Sequence, residues 1–134
     1  MVNNRRKFFR CRISGFKEAT MILPAKEDRV YTITLNNISG NGLSFVSRET
    51  FKVTEFLTYT FKFELEEEWF ELEGCIIRKS GEENRYIKYG VKLAPLSVKE
   101  ESRLIRVINK YQIKQNKSDL FSEDWTLYMF AEIL

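Results

Sequence analysis

Histidine is absent from the 134 residues of this sequence. Because histidine is the usual general base near neutral pH and the commonest zinc ligand, Ser-His-Asp and Cys-His catalytic arrangements are excluded. The glycine-rich signatures of phosphate-binding and dinucleotide-binding loops are also missing. The carboxylates fall on alternating strand positions and in one turn, where a solvated face explains them better than paired catalytic acids. The sequence therefore argues against an enzyme.

Cysteine is scarce, and long apolar runs do not occur. Cys11 and Cys75 form no Cys-x-x-Cys pair, and two cysteines are not a disulfide framework, which favours a reducing compartment. No run of 18 apolar residues is present, and no apolar stretch follows the basic start of the chain. Neither a membrane-spanning helix nor a secretory signal is therefore expected. We expect a cytoplasmic protein without membrane insertion.

Positive charge is concentrated at the start of the chain. Residues 1–12 hold five of the 22 cations and none of the 19 acids, so the remainder has a small negative net charge. Between Phe63 and Arg78 lie six glutamates and no cation. A protein that follows a nucleic-acid backbone needs a broad basic surface. A single basic segment beside an acidic hairpin suits a small anionic ligand better.

Short stretches of alternating apolar and polar residues recur over the first 93 positions. In the clearest of them, 57–65, the residues Tyr59, Phe61 and Phe63 share one face. Six strands are predicted, at 11–24, 30–36, 43–46, 57–65, 70–79 and 87–93. Short strands at close spacing favour an antiparallel barrel or sandwich, and closing the sheet would remove its exposed edges.

The periodicity changes after Pro95. Leu104, Val107, Ile108 and Tyr111 follow at helical spacing and predict an amphipathic helix that begins after Ser97 and ends near residue 114. A polar break is expected at 115–118. The tail that follows is rich in aromatic and aliphatic residues, and we expect it to form a second short helix. The tail would pack on its own barrel or form a homodimer interface, two alternatives that the sequence leaves open.

Two arginines flank a short segment in the basic start of the chain, Arg6 and Arg10, with Arg5 directly before them. The guanidinium group is always charged and offers a planar fork of donors. Two such groups can hold phosphate oxygens, stack on a purine, or pair with the O6 and N7 acceptors of guanine. By itself this motif is also compatible with a solvated basic arm.

A run of turn-forming residues joins the second and third predicted strands. It reads Asn-Ile-Ser-Gly-Asn-Gly at positions 37–42. The amide of Asn37 and the hydroxyl of Ser39 can meet a base edge or a phosphate, and Gly42 permits a positive φ or a close ligand approach. By itself the run is equally a turn that satisfies its own backbone.

Together the two motifs resemble the PilZ family of bacterial cyclic di-GMP receptors. That family carries an R-x-x-x-R loop just before its first strand and a [D/N]-x-S-x-x-G turn between its second and third strands. Arg6 and Arg10 match the first motif, and Asn37, Ser39 and Gly42 match the second. The separation of the motifs and the strand count also agree.

The resemblance extends over about residues 5–112. Gly90 and Val91 look like part of the family's G-V-x-F strand, although Leu93 stands where Phe is usual. The resemblance implies a mainly β fold, a six-stranded antiparallel barrel with a C-terminal helix. It further implies a flexible basic ligand-binding arm at 1–10, followed by the barrel and helix at 11–115. The apolar tail at 116–134, which its composition predicts to be helical, is not part of the family pattern.

The resemblance also implies a ligand, cyclic di-GMP, with no other cofactor and no metal. Arg6 and Arg10 would grip its phosphates and guanine from the arm. In the family, an arginine before the loop motif is associated with two stacked ligand molecules, a role that falls on Arg5. The arm would rearrange on binding and present a new surface to a downstream protein.

The turn residues take complementary roles under the same resemblance. Asn37 and Ser39 would contact a guanine edge or a phosphate from the barrel, and Gly40 and Gly42 would shape the turn. The sequence leaves two alternatives to this function. One is an adaptor that acts through protein contacts without nucleotide, and the other is a barrel that binds single-stranded nucleic acid.

Overall fold

A computed structural model of the chain describes residues 11–24 and 29–122, with side-chain detail for all of these except 14–16 and 117–122. The described part forms six strands and one helix. These are β1 (Cys11–Leu23), β2 (Arg29–Ile38), β3 (Gly42–Ser47), β4 (Tyr59–Leu65), β5 (Glu68–Glu83), β6 (Tyr86–Leu93) and α1 (Val98–Ser122). No helix within these ranges has the length and apolar character needed to cross a bilayer.

The six strands close into a barrel in the order β1-β2-β3-β6-β5-β4, and every neighbouring pair is antiparallel. The predicted barrel is therefore confirmed. Closure comes from pairing of β1 with β4, where Met21 lies opposite Phe61. A second long-range contact pairs β3 with β6, where Phe45 lies opposite Tyr89. All backbone edges of the sheet are thereby paired within the barrel.

The strand alternation places large rings inside the barrel. In β4, Tyr59, Phe61, Phe63 and Leu65 are buried, and the residues between them are half-buried. The rings of Phe45 and Tyr89 stack at a centroid distance of 5.2 Å. Burial of side chains of this size contributes roughly 1.5–3 kcal/mol each.

Tyr89 also satisfies two backbone groups of the segment after β3. Its hydroxyl accepts a hydrogen bond from the Phe51 N–H (2.9 Å) and donates one to the Glu49 carbonyl (3.0 Å). Because Tyr89 is fully buried, this hydroxyl would be costly to leave without partners. The ring therefore fills the core, and its hydroxyl attaches the loop that crosses the end of the barrel.

Two hairpins use two-residue turns built from residues with positive φ. Glu66 and Glu67 link β4 to β5 at φ 53° and 64°, and Asn84 and Arg85 link β5 to β6 at φ 53° and 71°. Such turns match the twist of the strands they join. Strand β5 is longer than the predicted 70–79, because irregular pairing near Ile76 and Lys79 carries it to Glu83. Those irregularities interrupt the period-2 pattern by which a strand is recognised.

Helix α1 begins as predicted and ends later. The Ser97 hydroxyl accepts a hydrogen bond from the Glu100 N–H (3.1 Å), which is the expected N-terminal cap. Leu104, Val107 and Ile108 are buried, as their spacing predicts. The predicted end near residue 114 and the polar break at 115–118 are wrong, since the helix continues to Ser122. Two of these four residues, Gln115 and Lys117, are good helix formers, so polarity alone does not end a helix.

An ionic cluster joins the β4–β5 hairpin to α1. Arg103 contacts the carboxylates of Glu68 (3.1 Å) and Glu100 (2.9 Å), and its guanidinium lies 4.0 Å from the centre of the Phe70 ring. Arg106 also reaches Glu68 at 3.2 Å. Partial desolvation acts to raise the pKa of Glu68, but the hydrogen bonds from Arg103 and Arg106 outweigh it and lower that pKa. Part of the acidic hairpin therefore fastens the helix to the barrel.

Candidate functional site

The turn between β2 and β3 lies beside a bulge that points two asparagines outward. Leu35 pairs with Phe45 and Asn37 pairs with Ser44, so Asn36 is the extra residue. Leu35, the residue before the bulge, is buried in the core. Asn36 and Asn37 follow it on the outer side of the barrel, where both are half-buried. Bulges of this kind re-aim side chains and are common next to active sites.

The two asparagines differ in their hydrogen bonding. The Asn36 amide donates to the Ser44 hydroxyl at 3.1 Å. Asn37, one of the predicted site residues, makes no side-chain hydrogen bond to any part of the chain that the structure describes. A ligand could therefore bind the Asn37 amide without breaking a side-chain hydrogen bond between described residues.

Ser39 is buried, with 6% of its surface exposed, and its hydroxyl bonds within the turn. The oxygen lies 3.0 Å from the Asn41 side-chain oxygen and 3.2 Å from the Gly42 carbonyl, so its one proton is shared between two acceptors. The Ser39 N–H also donates to the Gly42 carbonyl at 2.8 Å. In this arrangement Ser39 holds the shape of the turn.

Gly42 is required by the neighbouring strand. A Cβ atom at this position would lie 2.9 Å from the Val91 carbonyl oxygen, so any larger residue would push against the backbone of β6. The Leu93 N–H donates to the Asn41 carbonyl at 3.0 Å and ties the turn to the same strand. Gly40 is buried between these contacts. The predicted turn residues 37–42 thus form one compact corner attached to β6.

The start of β1 lies against this corner. Cys11 pairs with Ile38 and Arg12 pairs with Asn37. Burial raises the pKa of the Cys11 thiol, which keeps it neutral. Arg5, Arg6 and Arg10 lie outside the described residues. The covalent chain nevertheless joins them to Cys11, which pairs with Ile38 at the corner. The five positions from Arg6 to Cys11 span at most ~18 Å when the chain is fully extended.

Beyond the corner, the outer face of the barrel carries cations and a groove. Lys88 and Lys92 alternate with the inward residues of β6 and are exposed. A groove of about 830 Å³ lies between the β5–β6 hairpin and the outer face, lined by Thr34, Val46, Lys88 and hairpin residues that include Glu82 and Glu83. The alternation of β6 indicated which lysines face outward, but only the strand pairing places Lys92 opposite Gly42 at the corner and Lys88 opposite Val46.

The described ranges contain no group of three or more His, Cys, Asp or Glu side chains arranged to hold a metal ion. The corner consists of amide, hydroxyl and backbone groups with positive charge around it. These groups donate and accept hydrogen bonds, and they suit recognition of an anion and a heterocycle.

A comparison with protein-family models matches the PilZ domain to residues 4–110. The chain belongs to the PilZ domain family. This confirms the family resemblance that the arginine loop and the Asn-Ile-Ser-Gly-Asn-Gly turn predicted. A search of curated proteins finds no match to this PilZ chain.

Solved structures with the same barrel include three from bacteria. The PilZ domain of YcgR from Escherichia coli, solved with cyclic di-GMP, has a TM-score of 0.69 at 13% identity over 86% of this chain and 97% of its own. The K. pneumonia MrkH–cyclic di-GMP complex has a TM-score of 0.68 at 11% identity over 87% of this chain and 57% of its own. The Bacillus subtilis inhibitor of motility (MotI/DgrA) has a TM-score of 0.65 at 14% identity over 84% of this chain and 53% of its own.

This PilZ chain thus spans about half the length of the MotI and MrkH chains and nearly all of the YcgR domain. At such low identities the likeness establishes the shared fold.

Proposed function

We propose that this PilZ domain is a non-enzymatic receptor that binds cyclic di-GMP between the arginine arm at 1–10 and the corner at 37–42. The observation that carries the proposal is the pairing of Cys11 with Ile38, which tethers the arm at the corner. The family match supports it. So do two solved PilZ structures of the same fold that contain cyclic di-GMP.

In this proposal the arginines bind the charged part of the ligand. Arg6 and Arg10 contact phosphate oxygens and guanine acceptors, because a guanidinium can do both from one planar group. Cyclic di-GMP carries two phosphate charges, which two guanidinium groups neutralise. Arg5 adds the charge that a second stacked ligand molecule would need, so a measured stoichiometry of one ligand per chain would argue against that role.

The corner supplies the matching polar edge. Asn37, whose amide has no internal partner among the described residues, contacts a guanine edge or a phosphate. Ser39, Gly40 and Gly42 keep the turn in the shape that presents this amide. The Ser39 hydroxyl contributes chiefly through its bonds to Asn41 and Gly42.

Binding is tested by calorimetry with cyclic di-GMP, cyclic di-AMP and GTP. Arg6→Ala and Arg10→Ala are each expected to weaken cyclic di-GMP binding by about 1.5–3 kcal/mol, the contribution of one charge-assisted contact. Arg29→Ala is the matched control, because Arg29 is exposed at the opposite end of β2 from the corner. Failure of the unmodified chain to bind cyclic di-GMP would refute the receptor and leave the nucleotide-free adaptor. Binding of oligonucleotides alone would favour a nucleic-acid-binding barrel.

We further propose that the arm closes over the ligand and presents a new surface to a downstream protein in the cytoplasm. The ordering of the arm costs conformational entropy, which the charged contacts must exceed. A chain that begins at Cys11 is expected to keep the barrel and lose cyclic di-GMP binding. Unchanged affinity in that chain would contradict the role of the arm.

The apolar tail is a separate question. The helix that precedes it reaches Ser122, and the predicted second helix lies outside the described residues. We propose that residues 116–134 pack on the barrel or join two copies of the chain. Sedimentation of the full chain and of a chain ending at Lys117 separates the two: a dimer that becomes a monomer on truncation indicates an interface.

A further inference from the structure

Arg78 lies on the outer face of the barrel, in line with the corner. In the register of the sheet, Arg78 pairs with Gly90 on β6, and Gly90 pairs with Ser44 on β3. Ser44 in turn accepts a hydrogen bond from Asn36 and pairs with Asn37. These residues form one row across four strands. Gly90 is two strand spacings, about 10 Å, from Asn37.

The guanidinium group of Arg78 lies flat on the barrel. A Cβ atom at Gly90 would lie 2.9 Å from its Nη2 atom, 3.1 Å from Cζ and 3.2 Å from Nε. The three atoms belong to one planar group and lie at nearly equal distances from this Cβ position. The guanidinium plane therefore lies over Gly90 and does not point away from the surface. Gly90 thus provides the space in which the group rests.

Arg78 also differs from the arginines that stabilise the fold. Arg103 and Arg106 are held by carboxylates of the β4–β5 hairpin and of α1. Arg78 makes no hydrogen bond or ion pair with any residue in the described ranges, and it is exposed. One face of its guanidinium is therefore supported by the barrel, and its N–H donors have no partner among the described residues.

We propose that Arg78 is a third ligand-binding arginine, one that comes from the barrel and not from the arm. The inference rests on the proposed binding of cyclic di-GMP. The open face of the guanidinium stacks on a guanine base, and its N–H groups reach a phosphate oxygen of the same ligand. Because Gly90 already supports the group, less conformational freedom is lost on binding than for an arginine in solvent.

Calorimetry with cyclic di-GMP tests the proposal in Arg78→Ala, Arg78→Lys and the control Arg29→Ala. Arg78→Ala is expected to weaken binding roughly ten- to hundredfold. Arg78→Lys keeps the charge and loses the plane, so most of the loss is expected to remain. Arg29→Ala removes an equally exposed positive charge about 26 Å along β2 from Asn37 and is expected to change affinity less than twofold.

Gly90→Ala gives a second test, in which residue 78 remains an arginine. The added methyl group displaces the guanidinium from the surface and keeps its charge, so we expect several-fold weaker binding. In an Arg78→Ala background the same change has no guanidinium to displace and is expected to have no further effect on affinity. Independent effects of the two substitutions would overturn the proposal.

The outcomes separate this inference from the function on which it rests. If the unmodified chain binds cyclic di-GMP and Arg78→Ala binds as tightly as Arg29→Ala, the role of Arg78 is refuted and the receptor stands. If the unmodified chain does not bind, both are refuted. Thermal unfolding of each variant shows whether the barrel is intact, and a loss of affinity with an unchanged melting temperature supports direct contact.

Discussion

Asn37 and Ser39 belong to the same motif, yet the structure predicts opposite effects for their replacement by alanine. The Asn37 amide makes no hydrogen bond within the described part of the chain, whereas the Ser39 hydroxyl is bonded inside the turn. Asn37→Ala should therefore reduce affinity with little change in stability. Ser39→Ala should reduce stability, and it should affect binding through the shape of the turn.

The loss of stability expected for Ser39→Ala depends on which polar groups lose a hydrogen-bond partner when the hydroxyl is removed. The Gly42 carbonyl keeps its 2.8 Å bond from the Ser39 N–H, and Asn41 is exposed, so water can replace the lost contact. Neither partner of the hydroxyl is left buried without a hydrogen bond. The free energy of unfolding should therefore fall by the contribution of one ordinary hydrogen bond, about 0.5–1.5 kcal/mol. For a chain of this size that lowers the melting temperature by roughly 2–8 °C.

Asn37→Ala removes no side-chain hydrogen bond that the described part of the chain contains, and its effect on stability should stay within about 0.5 kcal/mol. Its loss of affinity should be that of one hydrogen bond to a charged or polar ligand group, about 1.5–3 kcal/mol, or roughly 10- to 150-fold. Thermal unfolding and calorimetry with cyclic di-GMP measure both quantities on each variant. Asn109→Ala removes an exposed amide from α1 and serves as the control.

One result would refute the reasoning. If Asn37→Ala unfolds at a much lower temperature and binds cyclic di-GMP as tightly as the unmodified chain, Asn37 supports the fold and does not contact the ligand. The corner at 37–42 would then be a structural turn.

Three further predictions concern the stability of the barrel. Gly42→Ala pushes against the β6 backbone, with 2.9 Å between the new Cβ and a carbonyl oxygen, and should cost about 1–3 kcal/mol in unfolding free energy by urea titration, together with lower affinity. Tyr89→Phe removes a buried hydroxyl with two backbone partners and should cost about 1–3 kcal/mol, so an unchanged melting temperature would contradict that bonding. The lowered pKa of Glu68 stabilises the fold above the pKa of a free glutamate, about 4.3, and this contribution is lost as pH falls through the lower folded value. Melting temperatures from pH 6 to pH 3 should therefore fall less steeply for Glu68→Gln than for the unmodified chain, and equal slopes would argue against the contacts with Arg103.

Much of the fold could be predicted from local sequence patterns. The alternation in 57–65 predicted β4 and its buried face because side chains in a strand have a period of two. The spacing of Leu104, Val107 and Ile108 predicted the buried stripe of α1. These features depend on neighbours within a few residues. The end of α1 differs from the prediction because a polar stretch is not by itself a helix stop signal.

By itself, then, the sequence determined the strands, the helix, the family motifs and the positions that carry them, because each depends on short-range periodicity and residue chemistry. The tertiary structure alone decided which side chains meet across the barrel. Strand pairing brings Arg78 onto Gly90 and the start of β1 against Asn37, and the packing of α1 on the barrel joins Glu68 to Arg103. These contacts link residues 12 to 35 positions apart, and their register is set by closure of the whole barrel, which no local pattern encodes.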